Sequence, residues 1–81
     1  MKVGSIVAVN AHRGMFIVAI ENGDYAVFEL LNGIKIAVGD RIRGDLDALG
    51  GEELVHLSSG KRFSAYGQSG PSSLAACQRL L

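Results

Sequence analysis

Apolar and polar positions along the chain alternate in short runs, broken by glycine and asparagine. Val3 to Val9 is rich in β-branched residues and alternates imperfectly, with Val3, Ser5, Val7 and Val9 on one face and Gly4, Ile6 and Ala8 on the other. Both faces are largely apolar, which predicts a strand covered on more than one side. Asn10-Ala11-His12-Arg13-Gly14 supplies a turn, since Asn and Gly tolerate the backbone that a turn needs. Met15 to Glu21 forms a second strand and Tyr25 to Leu31 a third. Between them Asn22-Gly23 predicts a two-residue hairpin turn, because both residues accept positive φ. Consecutive strands joined by such turns make a meander.

The second half keeps the same rhythm. Ile34 to Val38 is short and apolar, and Gly39-Asp40 turns the chain into Arg41-Ile42-Arg43-Gly44-Asp45-Leu46, where charge alternates with aliphatic residues as on a half-exposed edge. Ala48 to Glu52 reads as a loop. Glu53 to Leu57 and Arg62 to Gln68 form a last hairpin across Ser58-Ser59-Gly60-Lys61. Ser69-Gly70-Pro71-Ser72-Ser73 then leads into good helix formers, which predicts a short helix over about 71–80 with Pro71 in its first turn. Leu74, Cys77, Leu80 and Leu81 recur at helical spacing and are expected to face the strands. Short strands, tight turns and eleven glycines in one 81-residue domain predict an all-β fold. The expected form is a small OB-like barrel of five or six strands (about 3–68) with a short C-terminal helix, because closure removes exposed edges. An open meander packed on the helix is the alternative.

Gly4 to Ile17, reading GSIVAVNAHRGMFI, resembles the opening of bacterial cold-shock domains: a glycine-led strand, an Asn turn, a basic-Gly pair and then aromatics. Gly23 to Leu30 is similar to their third strand, and Ile36 to Arg43 to the approach to their fourth. The likeness covers the first half of the chain at the level of pattern. It implies an OB-type barrel and single-stranded nucleic-acid binding, with Phe16 and Tyr25 at stacking positions. If Ile17 points inward, Phe16 and Val18 point outward beside Tyr25, Val27 and Glu29. Ala8 stands where the family has Trp, Glu29 where it has His, and the aromatic-Gly-aromatic motif is shortened to Met15-Phe16. Each stacked base contributes about 1–3 kcal/mol, so two rings make a thinner platform than the family's. Gly44 to Glu52 and the terminal helix have no counterpart in a minimal cold-shock domain, and they suggest a branch with an added helical cap.

Charge qualifies the binding expectation. Eight basic and eight acidic residues cancel, whereas polyanion binders usually carry a basic excess. Any phosphate contact must therefore come from a local patch. Arg13 lies in the first turn, where solvation is the plain role and a phosphate contact the sharper one. Arg41 and Arg43 share one strand face, and Lys35, Lys61 and Arg62 join them if the last hairpin pairs nearby. Asp40, Asp45 and Asp47 interrupt the same region and offer salt bridges instead.

No nucleophile, base and orienting group stand together in the sequence, and His12 and His56 have no partners at zinc-ligand spacing. The chain is thus expected to be non-catalytic, with no cofactor and no metal. A single cysteine, Cys77, admits no internal disulfide. The start lacks a leader pattern and no window approaches the roughly 18 apolar residues of a membrane span, so a cytoplasmic protein without membrane contact is expected. The expected partner is single-stranded RNA or DNA, held by Phe16, Tyr25, Arg13, Arg41 and Arg43. The alternative is a protein partner, or a second copy of the chain, on the same apolar strand face.

Overall fold

The alternating runs build six strands and one helix in the computed structural model, which describes residues 1–81. They are β1 (Lys2–Asn10), β2 (Met15–Ile20), β3 (Tyr25–Leu30), β4 (Arg41–Gly44), β5 (Gly50–His56), β6 (Lys61–Gly67) and α1 (Leu74–Leu80). The strands form a closed barrel in the order β1-β2-β3-β6-β5-β4, with β4 returning to β1. Every pairing is antiparallel. The expected all-β barrel with a terminal helix is present, with six strands, and the β5-β6 hairpin closes it against β3.

The imperfect alternation of β1 has a local cause. Its register with β2 shifts between Ile6 and Ala8, so Val7 is an extra, 39% exposed residue. Beyond this bulge the faces exchange. Val9 packs on the barrel interior and Ala8 on the outside against α1, opposite to a strict two-residue alternation.

The β2–β3 hairpin differs from the two-residue turn in the same way. Gly23 N donates to Ile20 O (2.9 Å) and Ile20 N to Asp24 O (2.8 Å). The loop is therefore Glu21-Asn22-Gly23, and in it Gly23 alone has positive φ, at 97°. Phe16 consequently pairs with Phe28 and Ile17 with Val27. A two-residue loop would have set Phe16 opposite Glu29. A one-residue slip moves every side chain to the other face.

That register places the core. Phe16, Val18, Ala26 and Phe28 point into the barrel with Ile6, Ile42, Leu46, Leu54, Phe63 and Ala65. The Phe16 and Phe28 rings stack with centroids 5.9 Å apart, and Phe63 closes on Phe16 at 6.4 Å. Gly67 admits a close crossing of the chain, since a Cβ there would fall on the carbonyl oxygen of Ala48.

The outward residues of the meander form a second cluster. Met15, Ile17 and Val27 pack with Cys77 of α1, flanked by Tyr25, Leu74 and Leu81. Leu80 is not part of this seam and is 43% exposed. The helix starts later than Pro71: Ser73 is its N-cap and accepts from Ala76 N. Pro71 lies outside it because Ser72 bridges Tyr25 instead, exchanging backbone hydrogen bonds of 3.0 and 2.8 Å.

Candidate functional site

The meander face is closed to a ligand. Phe16, Val18 and Val27 are fully buried, so Phe16 cannot stack on a base and the same surface cannot serve a protein partner. Phe16 and Tyr25 lie on opposite sides of the sheet, because the three-residue loop turns Phe16 inward. Tyr25 is half-buried beside the helix. Arg13 faces the C-terminal end of α1. Its guanidinium donates to Leu80 O (3.1 Å) and Leu81 O (3.2 Å), and Asn10 Nδ2 donates to Leu81 O at 2.9 Å. A cation beside the free carbonyls of a helix end is electrostatically favoured. Arg13 therefore helps to hold the cover in place.

The remaining cations gather elsewhere. Arg41 and Arg43 are exposed on the same outer face of β4, as their spacing in a strand requires. Val55 pairs with both Arg43 and Arg62, so the two arginines share a row two strands apart, about 10 Å. Arg62 in turn borders an open cleft of about 560 Å³ at one end of the barrel, lined by Asn32, Gly33, Ile34, Lys35, Lys61 and Arg62. Lys35 comes from the β3–β4 connection and the other cations from the start of β6, so the sequence offers this grouping only on the condition that the last hairpin lies nearby, as it does. Leu31 N donates to Ser64 O and Ser64 N to Asn32 Oδ1, at 3.0 and 2.9 Å, and these bonds fasten the connection to β6.

Two of the three acidic residues that interrupt the basic run in sequence are engaged in ion pairs, whereas Asp45 is exposed beside β4. Asp47 meets Lys2 Nζ at 2.6 Å and Asp40 meets His56 Nε2 at 2.9 Å. Arg62 alone among the cleft cations has a carboxylate neighbour, Glu53 at 3.3 Å, and both side chains of that pair are well exposed. Lys35, Lys61, Arg41 and Arg43 have no carboxylate within ion-pair distance. A neutral chain thus carries a locally cationic end.

A second, smaller hollow adjoins the cleft and shares Ile34 and Lys35 with it. It measures about 200 Å³ and is otherwise lined by Val9, Ala11, Gly14, Leu30 and Ile36. The apolar Ile34–Val38 segment forms no strand. Ile34 and Ile36 pack down on the barrel core, whereas Val38 is 64% exposed.

The loop that carries Lys35 is braced by a polar network invisible in the sequence. His56 is 8% exposed, with Nε2 toward Asp40 and Nδ1 2.8 Å from Ser59 Oγ. An ionised carboxylate only accepts, so Nε2 donates to Asp40, while Nδ1 shares hydrogen bonds with the hydroxyls of Ser59 and, at 3.3 Å, Ser58. The hydrogen bond from His56, followed by that from Ala37 N (2.9 Å), holds the Asp40 carboxyl below its ordinary range. Although Ser, His and Asp are the residue types of a hydrolytic triad, Ser59 Oγ also accepts from Lys61 N (3.2 Å) within its turn. Neither hollow reaches any of the three. Their geometry ties the β5–β6 turn to the β3–β4 connection. No group of three or more His, Cys, Asp or Glu residues converges as a metal site, and no helix is long and apolar enough to cross a membrane. Comparison with protein-family models, curated proteins and solved structures gives no match, so the cationic cleft stands on its own geometry as the candidate site.

Proposed function

We propose that the protein is a non-catalytic binding module of OB-like type for single-stranded RNA or DNA, which it holds in the cleft at the barrel end. The observation that carries this reading is the convergence of Lys35, Lys61 and Arg62 around an open cleft with no carboxylate in its lining. Lysine and arginine supply donors alone, and Arg pairs two phosphate oxygens in one plane. Arg43 and Arg41 extend the cationic surface along the outer wall of the barrel. The strand's backbone is the ligand that matches a row of fixed positive charges spaced over several residues.

The test is fluorescence anisotropy of a labelled oligonucleotide across a salt series. Three phosphate contacts on a single strand give a slope of log K against log salt of about −2. Lys61→Glu is expected to abolish binding at moderate salt. Because exposed surface changes usually stay within about 0.5 kcal/mol, the melting transition should hold. An absence of binding even at low salt overturns the reading. Salt-insensitive capture of a protein would move attention to the exposed apolar residues Val7, Val38 and Leu57.

A further inference from the structure

We infer that the apolar hollow beside the cationic cleft receives a single base of the bound strand, making the site a two-part receptor for one nucleotide and its flanking phosphates. The inference deepens the nucleic-acid reading and rests on it. Three features of the hollow lead to it.

The first is size. An apolar cavity of about 150 Å³ accepts a benzene ring. The hollow, at about 200 Å³, holds one ring system and is too small for a stack of them. The second is chemistry. Val9, Leu30, Ile34 and Ile36 offer aliphatic surface, which contacts the flat face of any base. The third is position. Ile34 and Lys35 line both spaces, so an occupant of the hollow lies next to the cations that hold phosphate. A nucleotide has that construction, with an apolar-faced ring on one side and an anion on the other.

The arrangement also states what the site does not read. Apart from Lys35, every side chain lining the hollow is apolar or absent. Base edges are read by paired donors and acceptors on side chains, and no acceptor-bearing side chain lines this space. The contact is therefore tolerant of base identity but requires that a base be there.

Ala11 provides the decisive variant. It is an exposed turn residue on the rim of the hollow, and Ala11→Leu fills the space without removing a core contact or a cation. The experiment compares a short single-stranded oligonucleotide with a base-free deoxyribose-phosphate chain of equal length and charge. The natural strand should bind about fivefold or more tightly, the gain from burying about 40 Å² of apolar base surface at about 25 cal/mol per Å². Ala11→Leu should remove that difference and leave the salt dependence unchanged. Equal binding of both chains by the unmodified protein overturns the base hollow while the cationic cleft stands. Persistence of the difference in Ala11→Leu, with Lys61→Glu still disabling binding, places the base elsewhere and also overturns it. If neither chain binds at low salt, the cleft reading falls and the inference falls with it.

Discussion

Phe16 and Arg13 illustrate how a residue's work is fixed by what surrounds it. An aromatic next to a basic turn reads as a binding pair, yet Phe16 fills the barrel between Phe28 and Phe63, and Arg13 meets the carbonyls at the end of α1. Phe16→Ala is therefore a stability variant. It should cost about 3–5 kcal/mol in chemical denaturation, the range for an emptied aromatic core position. Asp40 gives a pH prediction. Its carboxyl is held below the ordinary value by His56 and Ala37, so the stabilisation is present above the unfolded-state pKa and is lost as pH falls through the folded-state one. Melting temperature should decline on acidification below about pH 4, and Asp40→Asn should flatten that limb while lowering stability at neutral pH.

Among the elements, α1 is a fastened cover. Ser72 joins its leading end to Tyr25, Asn10 and Arg13 hold its far end, and Cys77 sits fully buried beneath it. Reaction of Cys77 with a thiol reagent thus reports undocking of the helix. Arg13→Ala should speed that reaction about two- to fivefold, corresponding to about 0.5–1 kcal/mol of docking energy. The helix itself is legible in the sequence from its small polar lead-in and the spacing of Leu74, Cys77 and Leu81, but its start after Pro71 and the outward turn of Leu80 are not. Strand positions are largely legible too, since period-two runs and turn residues are local signals, although Gly50 to Glu52, expected as loop, pair with β6 as the start of β5. The direction each face points is not legible. Asn22-Gly23 fits two turn types, and the choice depends on which register buries Phe16 and Phe28 together, a property of the assembled barrel. The bulge at Val7 is hidden for the same reason. The cations of the cleft are legible only as a conditional group, because Lys35 and Lys61 come from elements whose adjacency is set by closure of the barrel.

At the scale of the molecule, zero net charge conceals a division of labour. Asp40 and Asp47 are paired with His56 and Lys2, which leaves Lys35 and Lys61 without carboxylate partners at one end. Steering of a polyanion should accordingly be local and easily screened. In a stopped-flow measurement, the association rate with an oligonucleotide should fall as salt is added. Lys35→Glu should lower it further and leave the denaturation midpoint nearly unchanged.

Closure of the barrel has a consequence for how any partner is met. A sheet with open sides can recruit an extended peptide as one more strand, trading backbone hydrogen bonds for affinity. Here each of the six strands has a neighbour on both sides, and ladder positions stay open only where that pairing is partial, at 61–63 on the β3 side of β6 and 50–54 on the β4 side of β5. Strand addition and edge-to-edge stacking of copies are limited to those short stretches, and recognition elsewhere proceeds through side chains and loop ends.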